Sequence, residues 1–247
     1  MKPVITISVV LPIHNEEKYI ATALKSLIHQ DFKEPFEILV VNNNSTDKTI
    51  EIVNAYQDKR IKIVEEKQQG VVFARQKGLH EAKGVLIAGA DADSVYPSNW
   101  LTTITHHFKN HHVIGVGGPA IPERNPWWMY YWHLKSFGFV AWLYQKTGFV
   151  LYVIASNFAF RKSVFLSIGG YDTRFSMGGG DEIDPLARLR KKGKVVFDQH
   201  LQVNVSSRRY QVGFLKFLFI HSMYYYWFGY LASLLFKRRL IESSPVR

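Results

Sequence analysis

Two carboxylates one residue apart are the side chains of this sequence that best suit chemistry. Asp91 and Asp93 follow the apolar run Val85-Leu86-Ile87, and an apolar run that ends in acids is typical of a buried strand finishing at a site. Side chains at positions i and i+2 of an extended segment point the same way, so both carboxylates could face one hard cation. Mg²⁺ or Mn²⁺ usually joins one or two carboxylates to substrate phosphates, which makes a nucleotide the natural companion ligand. A solvated turn is the alternative interpretation, because Asp-x-Asp pairs are common.

A second acidic segment contains Asp181, Glu182 and Asp184 and follows three consecutive glycines at 178–180. A carboxylate in such a segment can act as a general base, and the glycines favour a mobile loop that closes over a substrate. The alternatives are a plain flexible turn and a set of acids at a helix N-terminus, where the helix dipole favours them.

Strands and helices are predicted to alternate along the chain and to position these acids. We predict strands over 5–12, 36–41, 61–65, 84–88, 113–117, 157–161, 195–197 and 203–205, and helices over 19–28, 48–56, 70–82, 99–108, 163–168 and 184–192. This order indicates an α/β fold with a doubly wound, mostly parallel sheet flanked by helices. Ligands on such a sheet bind beyond the carboxyl ends of its strands, where the polar loops of this chain fall.

Composition narrows the classes of partner. The chain has 247 residues, of which 47% are hydrophobic, which is ample for a core. The absence of cysteine excludes disulfides and thiolate metal sites and fits a reducing compartment. The net charge of +11 favours phosphorylated ligands, anionic lipid or nucleic acid. Nucleic acid is not expected, because the first half has no basic stripe with interleaved aromatic residues.

The C-terminal segment differs in character from the rest of the chain. We predict one domain over residues 1–210 and an aromatic-rich helical tail over 211–247. The run 212–236 is long enough to span a bilayer, but its aromatic rings and the basic cluster at 237–239 favour a helix lying on an anionic membrane surface. A core helix or an oligomer contact is the alternative.

Several loops agree in order and spacing with one enzyme family. The chain resembles the family 2 glycosyltransferases, inverting enzymes with the GT-A fold that use nucleotide-activated sugars. The resemblance is carried by Val9–Glu17, similar to the Pro-x-Tyr-Asn-Glu opening; Val40–Asp47, similar to the Val-Asp-Asp-Gly-Ser-Thr-Asp loop; Gly70–Gly78, similar to the Gly-x-x-x-Ala-Arg-Asn-x-Gly helix start; the metal motif Asp91–Ser94; and the acceptor and base segments Gly169–Phe175 and Gly180–Arg188. Each motif is weak alone, but their ordered set is specific.

The resemblance implies a role for each matching residue. The implied nucleotide-sugar-binding residues are Pro12, His14, Glu16, Asn43, Arg75, Asp91 and Ala92; the implied metal ligands for Mn²⁺ or Mg²⁺ are Asp93 and Asp91; and the implied catalytic base is Glu182, with Asp181 as the alternative. On local grounds alone, the asparagine loop is equally an N-cap and turn cluster, and Arg75 is equally a surface helix residue.

Four departures from the family pattern affect these expectations. His14 stands in place of tyrosine, and Asn42 and Asn43 stand in place of paired aspartates, so the identity of the nucleobase stays open. The base motif reads Asp181-Glu182 rather than Glu-Asp. The segment Arg208-Arg209-Tyr210 resembles part of the Gln-x-x-Arg-Trp motif of processive members, but Ser206 replaces the glutamine, so polymerisation is not expected. These arginines face either phosphates or solvent.

We therefore expect a metal-dependent inverting glycosyltransferase of the hexosyltransferase type. It would move a sugar from a nucleotide-diphosphate sugar to a sugar or lipid-linked hydroxyl acceptor in cell-envelope glycan or glycolipid synthesis, as a peripheral protein on the cytoplasmic face of the cell membrane. Two alternatives stay open. One is a polyprenyl-phosphate glycosyltransferase, and the other is a non-catalytic protein that binds nucleotide-sugars or lipid surfaces.

Overall fold

The computed structural model of the protein describes residues 5–123, 126–174 and 179–208. Strands and helices alternate through the first half, as predicted. The elements are β1 (Ile7–Ile13), α1 (Ile20–Ile28), β2 (Phe36–Asn42), α2 (Thr49–Ala55), β3 (Ile61–Glu65), α3 (Val71–Glu81), β4 (Leu86–Gly89), β5 (Ser94–Val95) and α4 (Trp100–Phe108).

The second half contains shorter strands and one long helix. Its elements are β6 (Val113–Gly117), β7 (Ala120–Pro122), α5 (Trp127–Thr147), β8 (Phe158–Arg161), α6 (Lys162–Ser167), α7 (Asp184–Leu189), β9 (Lys194–Phe197) and β10 (Val203–Val205). The sequence indicated no element for the aromatic segment that forms α5. A π-helical turn, Gly179–Ile183, leads directly into α7, so the two glycines described from the predicted mobile loop are helical.

A seven-stranded sheet in the order β3-β2-β1-β4-β8-β6-β9 forms the centre of the fold. The pairs β1–β2, β1–β4, β2–β3 and β6–β9 are parallel, whereas β8 runs antiparallel to both of its neighbours. This arrangement confirms the predicted mostly parallel α/β sheet. All seven residues of β1 and all seven of β2 are buried, as expected for strands covered by helices on both faces.

Gly78 allows α3 to lie directly against this sheet. A Cβ atom at position 78 would lie 2.4 Å from Cγ1 of Val10 in β1, which is far inside van der Waals contact. The missing side chain therefore brings the helix backbone close to β1. As a result Arg75, one turn earlier on α3, is held beside the end of the sheet.

The strand order reverses direction between β1 and β4. The chain runs from β1 outward to β2 and β3, and then returns to place β4 on the other side of β1. A crevice forms beyond the carboxyl ends of the strands at such a switch point. A smaller sheet consists of β5, β10 and β7. The chain after β10 reaches the crevice, because the Ser206 N–H donates to the carbonyl oxygen of Asp93 at 2.9 Å.

The predicted tail at 211–247 lies outside the described residues, so the assignment of a membrane-interface segment stays a prediction. None of the helices in the described ranges is both long and apolar enough to cross a membrane.

Candidate active site

The predicted site residues converge on the crevice at the switch point. Loops that follow β1, β2 and β4 carry Glu16, Asn43 and the Asp91–Asp93 segment. The helix α3 supplies Arg75, and the turn before α7 supplies Asp181 and Glu182. Segments that are far apart in sequence therefore share one edge of the sheet, as the argument from strand ends predicts.

Asp91 and Asp93 lie in a turn rather than on an extended segment. The N–H of Ser94 donates to the carbonyl oxygen of Asp91 at 3.2 Å, which closes the turn. The buried hydroxyl of Tyr96 accepts a hydrogen bond from the N–H of Asp91 at 2.8 Å. The sequence argument assumed an extended segment, and that premise was wrong, because the chain turns at once after β4; the joint binding of a cation by the two carboxylates stays a prediction. The two carboxylates contact different arginines.

Arg75 joins the metal motif to the predicted base segment. Its Nη2 atom lies 2.6 Å from Oδ1 of Asp91, and its Nε atom lies 3.2 Å from Oδ2 of Asp181. The side chain is only 2% exposed. Although burial opposes the charge, the carboxylates of Asp91 and Asp181 raise the pKa of Arg75 above its ordinary value. The interpretation of Arg75 as a surface helix residue is therefore wrong, and its predicted contact with a nucleotide stays a prediction.

Gly89 and Ala155 place the candidate base close to this ion pair. A Cβ atom at position 89 would lie 2.1 Å from the carbonyl oxygen of Ala155, so only glycine allows the two backbones to approach. The N–H of Ala155 donates to Oε1 of Glu182 at 3.1 Å, and the hydroxyl of Tyr152 donates to Oε2 at 3.1 Å. The carboxylate of Glu182 is thus oriented by two donors and is not a solvated helix cap.

Glu182 has the titration behaviour that general bases often need. Its side chain is 6% exposed, and burial, together with repulsion from Asp181, raises the pKa of Glu182 to about 8. Strongly raised carboxylate pKa values in a cleft are typical of functional groups. Asp181 is bound to Arg75 instead. The two neighbouring acids therefore lie in different environments, one paired with a cation and the other held by neutral donors.

Arg208 returns from the end of β10 and ties two other site acids together. Its Nη1 and Nη2 atoms donate to both carboxylate oxygens of Glu16, at 2.7 and 2.6 Å. Its Nη2 atom also lies 3.0 Å from Oδ2 of Asp93, and its guanidinium lies over the ring of Tyr19 at 4.6 Å. Arg208 is therefore part of the candidate site and not of a solvated basic face, whereas Arg209 and Tyr210 lie outside the described residues.

The loop after β2 is held by its own asparagine. The side-chain amide of Asn43 donates to the carbonyl oxygens of Glu66 and Gln68, both at 2.8 Å, and its oxygen accepts from the N–H of Gly70 at 2.7 Å. Both amide hydrogens are thus used within the protein, and only a second lone pair on the oxygen remains for a base N–H. Asn43 therefore holds the shape of the predicted nucleobase pocket, and only its side-chain oxygen has capacity left to contact a nucleobase.

His14 lies at the edge of the same loop. Its Nδ1 atom lies 2.8 Å from the carbonyl oxygen of Asn43, so this nitrogen carries the proton and donates. Its Nε2 atom lies 3.4 Å from Nε2 of Gln69. Pro12, in β1, and Ala92, between the two aspartates, are buried. The nucleotide contacts assigned to these residues stay predictions.

The donor set at the end of β4 suits a divalent cation that keeps most of its ligands from outside the protein. Asp91 and Asp93 offer hard carboxylate oxygens, and one oxygen of each is already taken by an arginine. No group of three or more potential metal-ligating side chains occurs among the described residues. Two carboxylates with limited free capacity fit Mg²⁺ or Mn²⁺ carried in with substrate phosphates, and not a closed protein cage.

Two further contacts of the site were not expected from the sequence. The role of Tyr152 was hidden because it lies in a segment where aromatic residues are common, so its type carried no signal. Tyr96 was likewise unmarked, although its buried hydroxyl accepts from the Asp91 backbone; burial and the nearby Asp91 carboxylate raise the pKa of Tyr96, so it stays a neutral hydrogen-bonding group.

Two solved glycosyltransferase structures share the architecture of this chain. Mannosyltransferase PcManGT from Pyrobaculum calidifontis, solved in complex with GDP-Man and Mn²⁺, superposes with a TM-score of 0.64 at 21% identity, covering 83% of this chain and 57% of that one. Staphylococcus aureus TarS 1–349 in complex with UDP-GlcNAc gives a TM-score of 0.64 at 18% identity, covering 83% and 59%. These similarities confirm the expected GT-A fold.

Two relatives found by sequence similarity are also named as sugar-transferring enzymes. The poly(ribitol-phosphate) β-N-acetylglucosaminyltransferase TarS of Staphylococcus aureus is 33% identical over 127 residues, which is 47% of this chain but 22% of TarS. The glucosyl-dolichyl phosphate glucuronosyltransferase of Haloferax volcanii is 23% identical over 246 residues, covering 91% of this chain and 75% of that protein. The chain thus spans about a fifth of TarS and three quarters of the archaeal relative.

The family of the chain is shown by its match to a protein-family sequence model. Residues 8–169, which contain the loops after β1, β2 and β4, match the model of glycosyl transferase family 2. That match covers well over half of the chain and confirms the resemblance seen in the ordered motifs. The chain therefore belongs to glycosyl transferase family 2.

Proposed function

We propose that the chain is an inverting, divalent-metal-dependent glycosyltransferase that moves one sugar from a nucleotide-diphosphate sugar to a hydroxyl acceptor. The observation that carries the proposal is the bridge through Arg75, which holds the Asp91 side of the crevice against the Asp181–Glu182 turn. A donor bound at the strand ends would thus have its sugar next to Glu182. A transfer reaction needs the donor sugar and a base side by side, whereas a protein that only binds nucleotide-sugars does not need the base.

Glu182 would act as the general base in this reaction. Its carboxylate takes the proton of the acceptor hydroxyl while the hydroxyl oxygen bonds to the anomeric carbon of the sugar. The bond from that carbon to the diphosphate oxygen breaks on the opposite face, which inverts the configuration. The two donors at 3.1 Å, from Tyr152 and Ala155, hold the carboxylate in place, because a base must be positioned before its pKa matters.

The remaining side chains would serve the donor. Asp93 and Asp91 would hold Mg²⁺ or Mn²⁺, which when bound offsets the charge that develops on the departing diphosphate. Glu16 and the loop shaped by Asn43 would receive the nucleobase. Arg75 keeps Asp91 and Asp181 at fixed separation and reduces the repulsion between the donor side and the base side.

The acceptor class follows from chemistry and from the relatives. A hydroxyl needs a base to lose its proton, whereas a lipid phosphate does not, so the buried and oriented Glu182 favours a hydroxyl acceptor over a polyprenyl phosphate. The names of the relatives, with poly(ribitol-phosphate) and glucosyl-dolichyl phosphate, support an acceptor in cell-envelope glycan or glycolipid synthesis. The basic, aromatic tail supports peripheral attachment to the cytoplasmic face of the membrane.

A thermal-shift panel of nucleoside diphosphates tests donor binding and identifies the nucleobase that the site prefers. We expect one nucleoside diphosphate to raise the unfolding midpoint in the presence of Mn²⁺ and to have little effect after chelation. Ligand in about a hundredfold excess over its Kd stabilises a protein by about 2.7 kcal/mol, which is readily measured. The matching nucleotide-sugar should then release diphosphate when an acceptor is supplied. Failure of every diphosphate to stabilise the protein in Mn²⁺ would contradict the proposal.

Arg208 should compete with the cation for Asp93. In Arg208→Gln, Glu16 and Asp93 lose the guanidinium that neutralises them. Removing one partner of a fully buried ion pair destabilises a protein by about 3–5 kcal/mol, and removing one from a partly exposed pair such as this one costs less. We expect the unfolding midpoint of Arg208→Gln to be lower than that of the parent protein. We also expect Mn²⁺ alone to raise the midpoint of the variant by more than it raises the midpoint of the parent protein.

Arg60→Gln is the matched control for this prediction. Arg60 pairs with Asp58 at 2.6 Å, away from the crevice, so its loss should also lower the midpoint but without any recovery in Mn²⁺. Equal responses to Mn²⁺ in the parent and Arg208→Gln would show that Arg208 and the cation do not share Asp93.

A further inference from the structure

One face of α5 exposes an exceptional number of aromatic side chains. Eight of the eleven exposed large hydrophobic side chains in the described ranges lie between residues 127 and 151, with exposures of 45–71%. On α5 they are Trp127, Tyr131, Trp132, Leu134, Phe139 and Trp142, and just after it Phe149 and Leu151. At 100° per residue the six on α5 fall within roughly half of the helix circumference. They therefore form one continuous surface, the α5 aromatic face.

The opposite side of the helix is fixed to the domain. Met129, Phe137 and Val140 are buried, and the ring of Phe137 stacks on Phe197 of β9 at 6.1 Å. Gly148 ends the helix in the left-handed conformation, with φ of 70°, as is common at helix C-termini. The helix thus lies against the protein along its length, and its aromatic face is presented as a rigid surface.

The charge on this surface has one sign. Lys135 and Lys146 lie within the same arc, and no Asp or Glu occurs between Glu123 and Asp172. A surface of tryptophan, tyrosine and lysine without acids is complementary to the headgroup region of an anionic bilayer, where aromatic rings settle and lysines reach phosphates.

The last described residues lie close to the chain segment that precedes α5. The hydroxyl of Ser207 donates to the carboxylate of Glu123 at 3.3 Å, four residues before α5 begins. The sequence beyond the described residues contains the tyrosines at 224–226 and the basic cluster at 237–239, which are residue types of the same chemistry as those of the α5 aromatic face.

We propose that the α5 aromatic face docks on the surface of an anionic lipid bilayer, with the helix axis parallel to the membrane. The rings enter the headgroup region, and Lys135 and Lys146 contact lipid phosphates. This surface belongs to the folded domain and is distinct from the basic tail.

Docking through α5 also orients the candidate base. The chain passes from α5 through the exposed Phe149 and Leu151 to Tyr152, whose hydroxyl contacts Glu182 at 3.1 Å. The ring of Tyr152 also stacks on Phe137 of α5 at 6.2 Å, so docking through α5 would hold Glu182 within two side-chain contacts of the helix that lies on the bilayer, where an acceptor sugar on a membrane lipid could reach it. This consequence rests on the proposed function, whereas the docking does not.

The lack of cysteine in the chain allows a site-specific test in the full-length protein. An environment-sensitive nitrobenzoxadiazole dye is attached to Tyr131→Cys, on the α5 aromatic face, and separately to Val85→Cys, which is similarly exposed but precedes β4 at the opposite end of the sheet. Vesicles of phosphatidylcholine with phosphatidylglycerol are added, and the same lipids with brominated acyl chains act as quenchers. We expect a blue shift and quenching at position 131 and neither at position 85.

A substitution experiment measures the contribution of the face. Trp132→Ser, Phe139→Ser and Trp142→Ser together should weaken flotation with these vesicles by at least about tenfold, because each ring kept out of water favours the bound state. Leu166→Ser, at an exposed site away from the face, should not. All of these side chains are exposed, so the unfolding midpoint should be unchanged in both variants.

Three results would overturn the proposal. The first is a dye at position 131 that stays in water while the protein floats, which would assign the binding to the tail alone. The second is a dye that is already blue-shifted without vesicles, which would mean that the tail or a second copy covers the face. The third is a triple variant that floats as well as the parent. None of these results depends on whether sugar transfer occurs.

Discussion

Replacing Glu182 with glutamine should lower the rate of sugar transfer by roughly 10²–10⁴-fold, the usual cost of removing a positioned general base. Glutamine keeps the size of the side chain, its oxygen can still accept from the Ala155 N–H, and its NH2 group can donate to the Tyr152 hydroxyl, so the fold and the binding of the donor should be kept. Transfer is followed as diphosphate release in the presence of acceptor, and donor binding as the thermal shift with Mn²⁺. Loss of transfer with an unchanged thermal shift is the expected pattern.

The pH dependence of transfer gives an independent test of Glu182. A base must be deprotonated, and burial with repulsion from Asp181 raises the pKa of Glu182 to about 8. The value of kcat/KM should therefore rise with pH through this region and level off above it. The folded protein holds this proton between the ordinary carboxyl pKa and about 8, whereas the unfolded chain has released it. The free energy of unfolding should therefore fall over the same interval as pH rises.

Asp181→Asn is the matched control that separates the two neighbouring acids. Removing the Asp181 charge takes away one of the causes that raise the pKa of Glu182, so the pH profile should move toward lower pH while transfer persists. If Asp181→Asn is inactive and Glu182→Gln is not, Asp181 is the base. Near-full activity of Glu182→Gln alongside an active Asp181→Asn would favour a lipid phosphate as acceptor. Failure of the parent protein to transfer any sugar, with donor binding intact, would favour a non-catalytic binding protein.

Replacing Asp93 with asparagine should abolish the Mn²⁺-dependent part of nucleotide binding. The amide has nearly the same shape as the carboxylate but lacks the negative charge that a hard cation requires. Arg208 keeps its two contacts with Glu16 at 2.6 and 2.7 Å, so the loop geometry should hold. The stabilisation of about 2.7 kcal/mol expected from diphosphate in about a hundredfold excess over its Kd should therefore disappear in the variant.

The control for this prediction is Asp198→Asn. Asp198 accepts from His107 at 2.8 Å, and it is a partly buried carboxylate outside the crevice. Its replacement should change stability but leave the response to nucleotide and Mn²⁺ as in the parent. Should Asp93→Asn bind Mn²⁺ and diphosphate as tightly as the parent protein, the metal site is not at the end of β4.

The sequence alone determined the architecture and most of the site's membership. Alternating apolar runs predicted the elements of the first half because buried strands of a doubly wound sheet are apolar throughout. The edge that carries the site followed as well, because the carboxyl ends of parallel strands meet on one side. Asp91, Asp93 and Glu182 could therefore be singled out from strand ends and from the order of the motifs. The helix α5 could not be predicted from the sequence, because aromatic residues on both of its faces hide the helical periodicity of apolar and polar residues.

The tertiary structure alone decided how these residues are connected. Arg75 meets Asp181 across 106 positions, and Arg208 meets Glu16 across 192 positions, and no local pattern in a sequence encodes contacts at such separations. The distinction between Asp181 and Glu182 also depends on the structure. Asp181 and Glu182 point in different directions from the π-helical turn, so a small rotation of the turn decides which carboxylate meets Arg75 and which meets the neutral donors. The partners on the two sides of the turn are Arg75 on α3, which Gly78 lets pack on β1, and the Ala155 N–H beside Gly89, and these segments meet only in the folded chain.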